Sequence, residues 1–506
     1  MVAEDDVRHM IDNLPWRDGV DALTAAFRAR TLSPVDALQL CLERCERINP
    51  LVNAIVTVDA AGAREAAQAS ERRWRRGAPL GPLDGVPITV KDNIPVRGMR
   101  ATWGSRLYAD VVPQTDELAI ARLRAGGAII LGKTNVPEFT LQGYTDNQLF
   151  GPTRNPWDTR LTPGGSSGGA VAAVAAGLVP LAVGTDGAGS IRRPASHTGL
   201  VGVKPSTGRI ARANGFPVIL HDFEVIGPMA RTTADAALLL SALAGPDARD
   251  RASLAFGTFR ADVTVDPPPQ RIWFASRFAG SPVDAEIAES VQAAALDLEA
   301  LGHIVETGEA PFDVEALNRI WPIVSQAGLA WLLRGKSGWR HAIAPALADT
   351  ASAGARFSAT DYVEALDVVR GLHADLGVVF ARADLLLTPT AAALPWPATE
   401  THPPFIDGKP VGPRGHAVFT AFANAAGCPG ISVPCRPSRQ GLPIGFQLVA
   451  PFGADDLLLK IAAQYERAHP WARRWPALAE HTPRPDDDTT EVTEVDGSNR
   501  VAFRPA

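Results

Sequence analysis

Gly164-Gly165-Ser166-Ser167-Gly168-Gly169, the apolar run 170–183, and Thr185-Asp186-Gly187-Ala188-Gly189-Ser190-Ile191-Arg192 form one passage whose reading decides the fold. The Gly-rich entry leads into helical sequence over 167–176. Past Gly177 and Pro180 comes a short apolar strand, 181–184, ending in a second Gly-rich turn. A strand with no polar alternation is one buried on both faces. Working outward, the apolar segments 86–90, 128–132 and 271–275 alternate with helical stretches at 117–125 and 233–243. Buried strands with helices between them predict an α/β sandwich.

The flanks extend this pattern. From about 20 to 76 apolar residues recur at helical spacing (Ala37, Leu38, Leu40, Cys41, Cys45, Ile48), with Ser33-Pro34 as N-cap and first-turn proline. An amphipathic helix is expected at 283–301, a strand at 304–306, helices through 313–380 and a strand at 384–387. The Pro-rich segment 389–413 reads as a long loop across the mouth of a site, and 431–468 as strand, strand, helix. The tail from Thr482 lacks apolar periodicity. The expected organisation is an N-terminal helical layer (1–76), a core with the Gly-rich segments (77–245), a variable region (246–415), a C-terminal part of the core (416–481) and a tail (482–506). No internal repeat is visible.

Composition narrows the function. A 506-residue chain with 46% hydrophobic and 21% charged residues can bury a large core, and its net charge of −6 lacks the basic excess of a nucleic-acid binder. The cluster Arg72, Arg73, Arg75, Arg76 reads as a solvated helix end. Four cysteines make no disulfide framework, and the ten histidines show no metal-ligand spacing, so neither a cofactor nor a metal is expected. The acidic start Met1-Val2-Ala3-Glu4-Asp5-Asp6 is unlike a secretory signal, and the longest apolar run is too short to span a bilayer. These features read as a cytoplasmic protein that acts on a small molecule, without nucleic acid or membrane; a homodimer is left open.

Three segments carry the chemistry: Val90-Lys91-Asp92-Asn93, then Ser166 in its Gly-rich loop 75 residues on, then Ser190 after a further 24. Cleaving an amide needs a strong nucleophile, donors for the oxyanion and a proton for the departing nitrogen. Ser190 follows Gly187-Ala188-Gly189, where small side chains let backbone N–H groups of Gly187, Ala188, Gly189 and Ser190 converge as an oxyanion hole. A Walker-type phosphate loop is excluded by the missing Gly-Lys-Ser/Thr. The nearest histidine, His197, stands seven residues past Ser190 beyond Pro194, a poor route to a Ser-His pair, and reads as packing.

In this order and spacing the three segments resemble the amidase signature family of serine hydrolases. So do Gly85-Val86-Pro87, Leu131-Gly132-Lys133-Thr134-Asn135, Gly151-Pro152-Thr153-Arg154-Asn155-Pro156-Trp157, Gly202-Val203-Lys204-Pro205, Gly227-Pro228-Met229-Ala230-Arg231, Pro429-Gly430-Ile431-Ser432-Val433-Pro434 and Gly441-Leu442-Pro443-Ile444-Gly445-Phe446-Gln447. The likeness runs from about 20 to 475 and is loose between 245 and 415, where substrate selection is expected. It implies an α/β/α sandwich around a large twisted mixed sheet, and a relay in which neutral Lys91 takes a proton from Ser166, which takes one from Ser190 and later returns it to the leaving amine. Ser166 matches the family's cis-peptide position, Ser167 fixes the loop, and Asp186 and Arg192 brace the nucleophile turn. A lysine of ordinary pKa is protonated at neutral pH, so the relay needs burial to lower it, and activity is expected to rise toward alkaline pH.

Two positions depart from the family pattern: Ala188, where glycine is common and a positive φ would be strained, and Glu224, where aspartate is usual. Tyr144 lies in a stretch similar to a family segment near substrate. Trp321, Trp331 and Trp339 are either core or the wall of an apolar acyl pocket. The resemblance implies a stand-alone hydrolase cleaving linear or cyclic carboxylic amides through an acyl-Ser190 intermediate, with ester or carbamate side activity. Two alternatives stand beside it: the glutaminase subunit of a tRNA-dependent amidotransferase, and a catalytically inactive binding protein.

Overall fold

The computed structural model describes residues 14–478, so the acidic start and the segment from Thr482 lie outside the described residues. The strands are, in chain order, β1 Ile55–Val58, β2 Pro87–Lys91, β3 Ile129–Thr134, β4 Leu181–Asp186, β5 Val201–Lys204, β6 Val225–Ala230, β7 Arg271–Phe274, β8 Ile304–Thr307, β9 Leu385–Pro389, β10 Phe405–Ile406, β11 Lys409–Pro410, β12 Gly430–Pro434 and β13 Gly445–Val449. All but β10 and β11, which pair as a hairpin, join one sheet in the order β1-β3-β2-β4-β6-β5-β12-β13-β9-β7-β8. It is mixed: β3-β2-β4 and β9-β7-β8 are parallel runs, linked through antiparallel pairings of β6, β5, β12 and β13.

Every residue of β2 through β6 and of β9, β12 and β13 is buried, which requires cover on both faces of the sheet. The helix Gly168–Ala175, Gly-Gly-Ala-Val-Ala-Ala-Val-Ala, is itself wholly buried, and its small side chains let it lie close against β2 and β4. Helix starts follow local chemistry: Ser33 and Asp36 form a capping box before Pro34–Val52, and Thr232 caps Thr233–Leu243. Each such cap stabilises its helix by about 1 kcal/mol.

The helices Val314–Leu333, Pro345–Gly354 and Ala359–Phe380 pack on one another, and Glu138 ties this layer to the core by accepting a 2.8 Å hydrogen bond from the Ala344 N–H. The Pro-rich loop closes back through two short strands, β10 and β11. Arg73 departs from the solvated helix end: it turns inward and pairs with both carboxylate oxygens of buried Asp84 at 2.8 and 2.6 Å. All four cysteines are free and buried, and burial pushes the Cys45 and Cys435 thiols up to about 12. Among the described residues no helix is long and apolar enough to cross a membrane.

Candidate active site

The parallel neighbours β2 and β4 run side by side with Val90 opposite Val183, and the turn after β4, through Gly187, Ala188 and Ser190, lines a cavity. Lys91 is the last residue of β2, Ser190 follows the turn after β4, and Ser166 sits in the loop entering the helix Gly168–Ala175. The carboxyl ends of parallel strands are where open α/β sheets present a crevice.

Lys91 is fully buried. Its Nζ lies 2.8 Å from Ser166 Oγ, 2.9 Å from Thr185 Oγ1 and 3.1 Å from the Thr185 carbonyl. Burial pushes its pKa down to about 7, against the opposing pull of the Glu224 and Asp186 carboxylates. The Gly165–Ser166 peptide is cis. A side chain at Gly165 would meet the Tyr144 carbonyl oxygen at 2.4 Å, so the Ser166 loop lies directly under the Gly143–Thr145 backbone. Ser167 joins the two loops: its N–H donates to the Ser190 carbonyl and its hydroxyl to the Thr185 carbonyl, both at 3.1 Å.

The turn 186–190 is held from within. Burial alone would raise the Asp186 pKa, but the Arg192 guanidinium and the Asn424 amide hold it well below the usual carboxylate range. Asp186 accepts from Arg192 Nε and Nη2 at 3.0 and 2.9 Å and from the N–H groups of Gly189 and Ile191 at 2.6 and 3.1 Å. Arg192 continues outward to Gln447 Oε1 at 2.6 Å and the Thr420 carbonyl at 3.1 Å.

This geometry corrects the expected oxyanion set at Gly189. Its N–H is committed to Asp186, which leaves the N–H groups of Gly187, Ala188 and Ser190 without a hydrogen-bond partner among the described residues. Gly189 has φ +110°, and a Cβ there would stand 2.2 Å from Thr420 Oγ1, so only glycine fits. Ala188 has no positive φ, and the strain that alanine would feel in that region does not arise.

The cavity in front of Ser190 has a volume of about 560 Å³. Tyr144 and Trp321 line it, Trp321 stacking on Phe223 with ring centroids 5.6 Å apart. Burial pushes the Tyr144 hydroxyl up to about 12, so the phenol is neutral. Trp331 does not join them. It is 56% exposed and lines an adjacent cavity that shares Glu224 with the first. The cause is helical geometry: ten residues along Val314–Leu333 carry Trp331 about 15 Å along the axis and about 80° round from Trp321. Trp339, in the short helix Trp339–Ala342, packs against the core edge beside Arg340. His197 is packed, with Nε2 3.1 Å from the Ala393 carbonyl, and burial pushes its pKa down to about 4.

Sequence reasoning gave no site role to several residues that the structure places here. Thr185 anchors Lys91, Asn93 Nδ2 donates to Thr185 Oγ1 at 3.0 Å, and Glu224 lines the cavity while paired with Arg212 at 3.0 Å. Arg193 and His416 form part of the cavity wall. The one signal for Arg193 was the arginine doublet after Ile191. Among the described residues, no three His, Cys, Asp or Glu side chains gather as a metal ion would need.

A family model described as Amidase matches residues 36–459. The A-subunit of glutamyl-tRNA(Gln) amidotransferase from Picosynechococcus sp. is 35% identical over 479 residues, covering 89% of this chain and 98% of its own length. Among solved structures, a bacterial aryl acylamidase of the amidase signature family superposes with a TM-score of 0.85 at 30% identity, covering 93% of this chain and 99% of its own. A 6-aminohexanoate cyclic dimer hydrolase does so with a TM-score of 0.81 at 29% identity, covering 91% and 98%.

Proposed function

The chain belongs to the amidase signature family, and on that premise we propose that it hydrolyses a carboxylic amide through an acyl intermediate on Ser190. The observation that carries this reading is the buried Lys91 amine 2.8 Å from the Ser166 hydroxyl, in a loop that the Ser167 N–H ties to the carbonyl of cavity-lining Ser190. In the proposed sequence the neutral Lys91 amine accepts the Ser166 proton as Ser166 accepts that of Ser190. The freed Ser190 Oγ attacks the amide carbonyl, and the N–H groups of Gly187, Ala188 and Ser190 stabilise the oxyanion. Ser166 returns a proton to the departing nitrogen, C–N cleavage leaves the acyl group on Ser190, and water then releases the acid by the reverse relay. Asp186, Arg192 and Ser167 hold the two loops in register. Trp321 and Tyr144 supply the wall against which the acyl or amine portion packs.

A second reading is favoured by the 35%-identical relative: the glutaminase subunit of an amidotransferase, which would work within a complex. One experiment separates them. Purified protein is treated with a fluorophosphonate and the adduct mapped, then the same sample is given anilides, primary amides and glutamine. A single adduct on Ser190, absent from Ser190→Ala, with turnover of an amide by the protein alone, is the expected result. Wild-type turnover in Ser190→Ala removes the assignment, and glutamine turnover only with added partner subunits selects the second reading.

A further inference from the structure

Arg192 and Arg193 are neighbours at the start of the helix Arg192–Thr198, where successive side chains point about 100° apart. Arg192 turns into Asp186, Asn424 and Gln447; Arg193 turns into the Ser190 cavity. Arg193 is 5% exposed, yet it forms no ion pair with a carboxylate among the described residues. Its contacts are two weak ones at 3.4 Å, from Nε to the Gly189 carbonyl and from Nη1 to His416 Nδ1. A guanidinium this buried ordinarily has a carboxylate or equivalent partner.

Nothing else lining the cavity supplies one. Besides Arg193, its charged residues are Glu224 and Arg414. Glu224 is already paired with Arg212 at 3.0 Å. Arg414, with its guanidinium 5.2 Å from the Trp321 ring, adds a second positive charge on the same wall. His416 stays neutral, because burial and then the charge of Arg193 push its pKa well below the ordinary value. The cavity thus presents a planar donor fork that no carboxylate of the cavity wall pairs with, Glu224 being taken by Arg212, beside the turn that bears Ser190.

Resting on the hydrolase reading above, we propose that Arg193 determines specificity by binding a substrate carboxylate, so that the preferred substrates are short amides with a carboxylate on the acyl portion. Arg193 Nε touches the carbonyl of Gly189, the residue next to Ser190. The carboxylate therefore lies within a few bonds of the scissile carbonyl, at about 1.5 Å per bond. A guanidinium takes a carboxylate through two parallel charge-assisted hydrogen bonds, which is strong where water is excluded.

The test compares ammonia release from succinamate and from 4-oxopentanamide, its uncharged near-isostere, in wild type, Arg193→Gln and Arg193→Lys. Succinate protection of Ser190 against fluorophosphonate is measured on the same samples. The expected wild-type kcat/KM favours succinamate by about tenfold or more. In Arg193→Gln that ratio collapses, chiefly through KM, while Arg193→Lys keeps part of it, and succinate slows Ser190 labelling in wild type but not in Arg193→Gln. Equal wild-type rates on the two amides, a ratio unmoved by Arg193→Gln, or no protection by succinate overturns the proposal. The wild-type ratio and the Lys variant decide the matter if the Gln variant does not fold. Wild-type protein that fails to label at Ser190 overturns the hydrolase reading instead.

Discussion

An ammonium has three donors and no acceptor, whereas a neutral amine has two donors and one lone pair. Lys91 faces three oxygens, which can all accept from the first, or leave one hydroxyl to donate to the second. The Thr185 carbonyl can only accept, and Thr185 Oγ1, which also receives Asn93 Nδ2, accepts from the amine as well. Ser166 Oγ accepts from the ammonium and, once the amine is neutral, is the hydroxyl placed to donate its proton to the lone pair. With a pKa of about 7, Lys91 is increasingly protonated below neutrality, so amide kcat/KM is expected to fall tenfold per pH unit below about 7 and to level off above it. A flat profile from pH 5 to 9 would remove Lys91 from the relay. Lys91→Met should lose about two to four orders of magnitude on amides and less on activated esters, whose leaving groups need less proton assistance. The same variant has a stability signature. Between about 7 and the ordinary lysine value of about 10.4, the unfolded wild-type chain holds one more proton than the folded one, so wild-type stability rises with pH in that window. Melting temperatures of Lys91→Met relative to wild type should therefore be most favourable at pH 7 and lose ground toward pH 10; a constant difference would contradict the depressed pKa.

At the scale of elements, helical phase decides which side chains meet the cavity. Trp321 faces it, stacked on Phe223, and Trp331 faces out, although both lie on Val314–Leu333. Trp321→Ala is expected to raise KM for amides with large acyl groups by about tenfold, and Trp331→Ala to change it less than about twofold, since a buried aromatic contact is worth a few kcal/mol and an exposed one little. Equal effects in steady-state kinetics would show that the two cavities act as one. Helices were the most legible elements because their 3.6-residue repeat survives in sequence: Thr233–Leu243 falls where the pattern puts it, and the Ser33 cap and the strand after Pro180 are also found. Five strands were not legible, the two-residue β10 and β11 inside the segment read as a long loop and three of the large sheet. β1 is four residues between two helices, β5 reads Val-Gly-Val-Lys, and β6 contains Gly227-Pro228, a pair that local rules place in turns. The sheet overrides those rules: the Val203 carbonyl would stand 2.1 Å from a Cβ at Gly227, and Pro228 sits opposite Val183 in a fully buried strand. The same non-local dependence hid Arg193, which differs from Arg192 only in the direction the helix turns it, and hid the commitment of the Gly189 N–H to Asp186.

At the scale of the whole molecule, the segment 77–245 holds Lys91, Ser166 and Ser190 and contributes β2 through β6, which sit together in the sheet. It does not close on itself. β3 needs β1 on one side, and β5 is covered on the other by β12, with Ile431 opposite Val203. The turn that bears Ser190 has the same dependence, because Asn424 and Gln447, which hold Arg192 and Asp186, come from the far end of the chain. A fragment of residues 14–250 would keep Lys91, Ser166 and Ser190 while exposing the edge of β5, whose residues are all buried in the intact chain. An uncovered apolar edge strand templates intermolecular pairing. We therefore expect that fragment to be aggregated by size-exclusion chromatography and unreactive toward a fluorophosphonate, and Ser190 labelling to return when it is refolded together with residues 251–478. A monomeric fragment that labels at Ser190 alone would mean that the local loops, and not the closed sheet, organise the site. The intact chain should then also lose labelling and near-ultraviolet circular dichroism at different temperatures, where the sheet-dependent account requires one shared transition.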